Sequence, residues 1–141
     1  TLSVAESCSS GFIASELTSI AGSSSYFRGG IIAYNDEIKV NILGINNDTI
    51  IKESSVSSIV AELMAKNVAK KFKTDFAIST TGYASPSSQN KFPVGTVFIA
   101  IKTPLKTIVK QFLFSGNRKI IIDQVKDKAF EMLLQEIKKI K

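Results

Sequence analysis

The chain contains no histidine, and this absence narrows the chemistry open to it. Without an imidazole there is no histidine-containing zinc site, no Ser-His-Asp triad and no Cys-His pair. Acid–base chemistry would have to use Tyr, Lys, Asp, Glu or backbone groups. The acidic residues are scattered along the sequence instead of clustering at metal-ligand spacing. We therefore expect a protein that uses neither a metal nor another cofactor.

Cysteine and long apolar runs are scarce as well. The only cysteine, Cys8, excludes an intrachain disulfide and indicates a reducing compartment, which we take to be the cytoplasm. No apolar run reaches the roughly 18 residues of a membrane helix, and no basic region precedes an apolar core at the start. The length of 141 residues and the hydrophobic content of 44% fit a single globular domain over residues 1–141 with no membrane partner.

Arginine is the rare cation in this sequence, because only Arg28 and Arg118 stand among 18 basic residues. The lysines that produce the net charge of +6 follow helical patterns without interleaved aromatic residues, so we expect no nucleic-acid partner. Both arginines lie beside glycines, and a planar guanidinium suits a phosphate or a carboxylate better than an ammonium does. The alternative for each is a local cap or ion pair.

The hydrophobic pattern predicts five strands and four helices. The predicted strands are Leu2–Glu6, the apolar run before Tyr34, Phe76–Thr81, Val94–Lys102 and Lys106–Phe114. The predicted helices are one marked by Phe12, Ile13, Leu17 and Ile20, a short one after Asn35-Asp36-Glu37, Ser55–Lys73, and a last one opened by Ser115-Gly116-Asn117-Arg118, with Asn46–Ser54 as a loop. This order predicts a three-layer α/β/α domain with a mixed, mostly parallel five-stranded sheet.

Four loops rich in serine and glycine separate these elements: Ser7–Gly11, Gly22–Ser25, Thr81–Lys91 and Ser115–Arg118. Because ligands favour the carboxyl ends of strands in such sheets, we expect the four loops to gather at one edge. The strand-to-helix turn Ser7–Gly11 would present unpaired N–H groups to an anion, as helix N-termini do. A serine N-cap is the alternative interpretation.

The stretch Ala21–Asn35 concentrates serines, Arg28 and Tyr34 in a polar turn that leads into an apolar run. We interpret it as a turn that feeds a buried strand, which ends in a polar side chain at the sheet edge. That arrangement indicates a candidate site. An ordinary Ser/Gly loop before a strand is the alternative.

In chain order, several short motifs resemble those of the CinA C-terminal family, the nicotinamide-nucleotide amidases. The matching motifs are Ala5-Glu6-Ser7-Cys8, Ala21-Gly22-Ser23-Ser24, Phe27-Arg28-Gly29-Gly30, Tyr34-Asn35-Asp36-Glu37, Thr81-Gly82, Phe92-Pro93-Val94-Gly95-Thr96-Val97 and Phe114-Ser115-Gly116-Asn117-Arg118. The resemblance spans nearly the whole chain. It implies the same three-layer fold that the hydrophobic pattern predicts.

The resemblance implies hydrolysis of the carboxamide of nicotinamide mononucleotide to nicotinate mononucleotide and ammonia, without a metal. It implies Ser24 as the nucleophile, assisted by Tyr34 and Arg118, and a phenolate held by a cation could take the serine proton. Ser9 is the rival nucleophile, because it lies at a strand-to-helix turn. The implied partners are a pyridine nucleotide and further copies of the chain. The implied substrate-binding residues are Ser7, Ser9, Ser10, Gly22, Ser23, Arg28, Thr81, Gly82 and Gly116.

Three departures from the family pattern bear on the substrate more than on the fold. Ser10 stands where the family often has glycine, the loop after Thr81-Gly82 differs, and Asn117 replaces the common aspartate before Arg118. A catalytically silent nucleotide-binding domain of the same fold is the alternative function.

Overall fold

The computed structural model describes residues 1–87 and 89–140 and contains one mixed five-stranded sheet. Its strands are β1 (Leu2–Glu6), β2 (Phe27–Ile32), β3 (Phe76–Gly82), β4 (Thr96–Lys102) and β5 (Thr107–Leu113), in the order β2-β1-β3-β4-β5. β1 pairs in parallel with β2 and β3, whereas β4 pairs antiparallel with β3 and β5. All strands except β4 therefore run in the same direction, which confirms the predicted mixed sheet.

Helices cover both faces of this sheet. They are α1 (Phe12–Thr18), α2 (Asp36–Asn41), α3 (Asn47–Glu53), α4 (Ser58–Phe72) and α5 (Arg118–Ile140), and a 3-10 turn covers Ser23–Ser25. One core packs α1 and α5 against the sheet, and the other packs α4 against the opposite face. The three-layer prediction is confirmed. Within the described residues, none of these helices is long and apolar enough to cross a membrane.

The central strands are buried on both faces, and their side chains divide between the two cores. Val4 and Ile78 face α1 and α5, whereas their neighbours Ala5 and Ala77 face α4. Small residues on the second face let α4 lie close to the sheet, which agrees with the pattern of a strand covered on both sides. The burial of these strands fixes where each of them ends, and so where the loops begin.

Two expectations from the sequence are wrong. The segment Asn46–Ser54 is not a loop but contains α3, which begins where the Asn46 side chain accepts a hydrogen bond from the Asp48 N–H and which buries Ile50. β2 is not a buried strand but an edge strand whose residues alternate between half-buried and exposed. Its Gly30 lies so close to β1 that a Cβ there would come within 2.3 Å of the Val4 side chain.

Candidate functional site

Three of the four serine- and glycine-rich loops meet at one edge of the sheet, the carboxyl edge of β1, β2, β3 and β5. Glu6 at the end of β1 pairs with Ile32 of β2 and with Thr80 of β3, so the segments that follow these strands begin side by side. β5 runs in the same direction, and the chain beyond it brings Arg118 back to this edge. Ligand sites of α/β sheets favour this edge.

The fourth loop, Gly22–Ser25, precedes β2 and lies at the opposite, amino edge, where the Leu2 N–H donates to the Tyr26 carbonyl at 2.8 Å. The expectation that all four loops gather is therefore wrong for this one. The strand between Ser24 and Tyr34 spans six residues, or about 20 Å at the usual rise per residue. A single chain does not bring these two side chains together. Gly22, Ser23 and Arg28 also lie toward the amino edge.

Tyr34 and Arg118 meet at the carboxyl edge, although 84 residues separate them. One guanidinium nitrogen of Arg118 donates to the Tyr34 hydroxyl oxygen at 2.6 Å, and the other donates to Ser85 Oγ at 2.6 Å. Tyr34 is 57% exposed, so the phenol is open to a ligand. A guanidinium that donates to a phenol oxygen stabilises negative charge on that oxygen.

Lys39 is a buried lysine at this edge, and its side-chain nitrogen lies 3.2 Å from Ser7 Oγ. The Asn35 side chain caps α2 by accepting from the Ile38 N–H at 2.9 Å, which starts the helix directly after β2 and turns Lys39 inward. Burial lowers the pKa of Lys39 below its ordinary 10.5, against the opposing influence of Asp36, whose carboxylate lies 3.9 Å away. A lowered pKa favours the neutral amine, which can accept a proton.

A buried carboxylate, Glu6, fixes the turn that carries Ser7. Glu6 Oε1 accepts from Ser9 Oγ at 2.6 Å and from the Ile13 N–H at 3.0 Å, while Oε2 accepts from the Ala14 N–H at 2.9 Å. Ser9 Oγ also lies 2.7 Å from Thr80 Oγ1 on β3.

The expectation of an anion cradle at this turn is wrong, because Glu6 already occupies the first-turn N–H groups of α1. The serine N-cap is wrong too, since the N-cap residue is Gly11. Ser9 is fully buried within this network, so it holds the turn together.

Thr81 and Gly82 were both predicted to bind substrate, but their contacts hold β3 to neighbouring segments of the fold. Thr81 Oγ1 donates to the Ser55 carbonyl at 2.8 Å and so ties β3 to the segment before α4. A Cβ at Gly82 would come within 2.6 Å of the Thr96 carbonyl oxygen, so the close approach of β4 requires glycine there.

An open cavity of about 720 Å³ adjoins Arg118 at the start of α5. Its walls are mostly apolar and include Phe12 and Ile120, with Lys119 and Asp123 at the charged side. Cavities of this size hold nucleotide-sized ligands. Of the remaining predicted binding residues, Ser10 and Gly116 are exposed at the turns before α1 and α5.

Burial raises the pKa of the Cys8 thiol to about 12, so the thiol stays protonated and weakly reactive. In residues 1–87 and 89–140, no group of three or more Cys, Asp or Glu side chains is arranged to hold a metal ion. Metal independence stays a prediction.

The sequence interpretation did not assign Glu6, Lys39 or Ser85 to the site. Lys39 carried a usable signal, because it lies between Ile38 and Val40 in a short apolar helix directly after Tyr34. A lysine in such a position is buried or snorkels to solvent, and only the packing decides between the two. The contact of Ser85 depends on a long loop that the sequence pattern does not constrain.

The family model described as the CinA C-terminal domain matches residues 1–137. A CinA-like protein of Flavobacterium psychrophilum is 51% identical over 140 residues, which is 99% of this chain and 34% of that protein. A CinA-like protein of Leptospira biflexa is 43% identical over 141 residues, 98% of this chain and 34% of that protein. The chain thus spans about a third of the length of the curated relatives it matches.

Solved structures show the same architecture. The competence damage-inducible protein A of Klebsiella pneumoniae superposes with a TM-score of 0.93 at 28% identity, covering 96% of this chain and 85% of that one. The competence/damage inducible protein CihA of Agrobacterium tumefaciens has a TM-score of 0.91 at 32% identity, covering 96% and 84%. The fold described above is therefore that of these proteins.

Proposed function

Since the chain belongs to the CinA C-terminal domain family, we propose that it is a metal-independent amidohydrolase of nicotinamide mononucleotide. The reaction converts the carboxamide to a carboxylate and releases ammonia. The observation that supports this proposal is the 2.6 Å hydrogen bond between Arg118 and Tyr34, which joins two distant residues of the family motifs. The pair provides a phenol hydroxyl and a fixed positive charge without histidine.

Amide hydrolysis requires a nucleophile, a group that takes its proton, and a stabiliser of the charge that develops on the carbonyl oxygen. Tyr34 and Arg118 take the supporting catalytic roles that the family resemblance implies, and the Arg118 guanidinium can stabilise the negative charge. Ser24 is the nucleophile that the family resemblance implies. Because Ser24 lies at the amino edge, that role requires a second copy of the chain and so depends on the predicted homo-oligomer.

The surroundings of Arg118 support a nucleotide substrate. The adjoining cavity of about 720 Å³ offers apolar walls to a pyridine ring and cationic side chains to a phosphate. Arg118 lines this cavity, and Tyr34, which accepts a hydrogen bond from Arg118, is exposed as well.

Ammonia release from nicotinamide mononucleotide tests the proposal. Chelator-treated protein is incubated with the nucleotide, ammonia is measured enzymatically, and the nucleotide product is separated by anion-exchange chromatography. We expect equal amounts of ammonia and nicotinate mononucleotide. Absence of both products with the folded protein, at any substrate concentration tried, would contradict the proposal.

The second candidate function is a silent nucleotide-binding domain. The separation of Ser24 from Tyr34 favours it, because a single chain then lacks the implied catalytic group at the carboxyl edge. Calorimetric binding of nicotinamide mononucleotide without ammonia release would support this alternative over the amidase.

A further inference from the structure

We propose that Ser85 is a positioning residue that holds the Arg118 guanidinium against Tyr34, an inference that rests on the amidohydrolase proposed above. Arg118 donates through one terminal nitrogen to Ser85 Oγ and through the other to the Tyr34 hydroxyl oxygen, each at 2.6 Å. Two acceptors on separate nitrogens fix the plane of a guanidinium, whereas a single acceptor leaves it free to turn about that one hydrogen bond. Ser85 therefore determines how Arg118 meets Tyr34.

Arg118 benefits from a second anchor because its side chain is long and exposed. It is the first residue of α5, and an exposed arginine samples many rotamers when it is not held. Tyr34 is itself 57% exposed, so a contact with Tyr34 alone would have to order two mobile side chains at once. Ser85 is half-buried, which makes it the better restrained of the two acceptors.

The loop that carries Ser85 is tied to the sheet directly before this residue. The Tyr83 N–H donates to the Thr96 carbonyl at 2.9 Å, and the Tyr83 carbonyl accepts from the Gly95 N–H at 2.7 Å. Within the loop, the Asn90 side-chain amide donates to the Ser85 carbonyl at 3.1 Å. These contacts hold the backbone of Ser85, so its hydroxyl is presented to Arg118 from a fixed segment.

The two sequence neighbours of Ser85 restrict it further. Ala84 is 7% exposed and belongs to the core between the sheet, α1 and α5. Pro86 follows Ser85, and a residue before proline is restricted to the extended region of backbone conformation. Ser85 thus has little backbone freedom on either side. Groups that orient catalytic side chains require this degree of positioning.

The chemistry of Ser85 suits the role that is proposed for Arg118. Hydrolysis of an amide places negative charge on the carbonyl oxygen, and a cation stabilises that charge best when it is already in position. A carboxylate could also orient the guanidinium, but it would neutralise the positive charge that the reaction uses. The Ser85 hydroxyl is uncharged, so it orders Arg118 and leaves its charge available.

The first test compares Ser85→Ala with Ser85→Thr, which keeps a hydroxyl, and with Ser87→Ala as a matched control. Ser87 lies in the same loop, and its hydroxyl accepts from the Gln89 N–H at 3.2 Å. We expect kcat for ammonia release to fall about 10-fold in Ser85→Ala with KM unchanged, as for one lost hydrogen bond to a charged group. Ser85→Thr should recover most of kcat, and Ser87→Ala should keep the wild-type value.

The second test asks whether Ser85 acts through Arg118. Residues that act through one contact are not additive, so Ser85→Ala should lower kcat little further in the Arg118→Lys background. An equal further loss in that background would overturn the inference. A raised KM with a wild-type kcat in Ser85→Ala would overturn it too, because Ser85 would then bind the substrate directly.

The third test is independent of the substrate and measures the order of the guanidinium itself. The chain has only two arginines, so nitrogen-15 relaxation of their Nε–H groups gives two signals, which Arg28→Lys assigns. We expect Arg118 to be more ordered than the exposed Arg28 in the wild type and in Ser85→Thr. In Ser85→Ala, the order parameter of Arg118 should fall to the level of Arg28.

The order of Arg118 and the release of ammonia separate the two proposals. If Ser85→Ala loses the order of Arg118 but the wild-type chain releases no ammonia, the proposed function is contradicted and the anchoring by Ser85 is supported. If the wild-type chain releases ammonia and Ser85→Ala changes neither kcat nor the order of Arg118, the positioning role is overturned and the proposed function stands.

Discussion

The two serine turns Ser7–Gly11 and Gly22–Ser25 are similar in composition and different in surroundings. The first is held by the buried carboxylate of Glu6 and by β3, and most of it is buried. The second is mostly exposed, and in the described part of the chain none of its serine hydroxyls has a side-chain hydrogen bond to another residue. Amino-acid composition therefore does not distinguish a turn that belongs to a functional site from a turn that only connects two elements.

What separates the two turns is their order relative to a parallel strand. The turn Ser7–Gly11 follows β1 and so lies at the carboxyl edge, beside Lys39 and Tyr34. The turn Gly22–Ser25 precedes β2 and lies at the other edge. Each of the following predictions asks whether the carboxyl edge contains the activity and the stabilising polar network while the amino edge contains neither.

The largest effect is expected from Arg118→Lys. An ammonium cannot donate to Tyr34 and Ser85 together as the guanidinium does, so we expect kcat to fall about 10²-fold or more, nearly as far as in Arg118→Ala. Steady-state ammonia release measures it. The matched variant Arg28→Lys, near the amino edge, should show a smaller decrease in kcat. A wild-type kcat in Arg118→Lys would contradict the proposed catalytic role of Arg118.

The next effect concerns stability and Glu6. Glu6→Ala leaves the Ile13 and Ala14 N–H groups without their acceptor in a buried place, which we expect to cost about 3 kcal/mol of unfolding free energy. Urea denaturation measures it. Ser24→Ala, at an exposed position, should change stability by less than about 0.5 kcal/mol. Equal losses in the two variants would abolish the contrast between the turns.

A smaller effect is expected in the pH dependence of stability. The folded-state pKa of Lys39 is lowered, so between that value and 10.5 the unfolded chain binds more protons and stability rises with pH. Below the folded pKa the full cost of burying the charge is present. We therefore expect the gain in stability of Lys39→Met over the wild type to be largest at neutral pH. Melting curves from pH 7 to 10 measure this, and a constant difference would contradict the lowered pKa.

The smallest effect is expected from Cys8→Ser and from chelators. The Cys8 thiol is protonated at neutral pH and the proposed reaction uses no metal, so most of the activity should remain in both cases. Ammonia release by the variant, and by chelator-treated wild type, checks this. Activity lost with the chelator and restored by a divalent ion would show that the chemistry depends on a metal.

The strands and long helices could be predicted because their apolar pattern is strong and continuous. The two expectations that were wrong, a loop at Asn46–Ser54 and a buried β2, depend on local or tertiary contacts. α3 is a seven-residue helix held by the Asn46 cap, and β2 is an apolar run whose edge position follows from the strand order alone. The closure of the α1 N-terminus by Glu6 is equally invisible in the sequence, because a buried acidic residue gives no periodic signal.

The site residues also divide into those that a sequence motif predicted and those that only the tertiary contacts reveal. Tyr34 and Arg118 were predicted from family motifs, and the structure brings them together across 84 residues. Lys39 was not assigned to the site, since periodicity cannot tell a buried lysine from an exposed one. The separation of Ser24 from Tyr34 was already implied by the strand predicted between them, because a six-residue strand holds its ends about 20 Å apart.

The pairing of β1 with β3 has a consequence during synthesis. The Ser7 turn is anchored to Thr80, which lies 73 residues later in the chain. At the usual rates of translation, about 4–15 s pass before that anchor leaves the ribosome after Ser7 has done so. During this time the apolar strand β1 has no partner on that side, so the nascent chain offers chaperones a short hydrophobic segment that the finished domain hides completely.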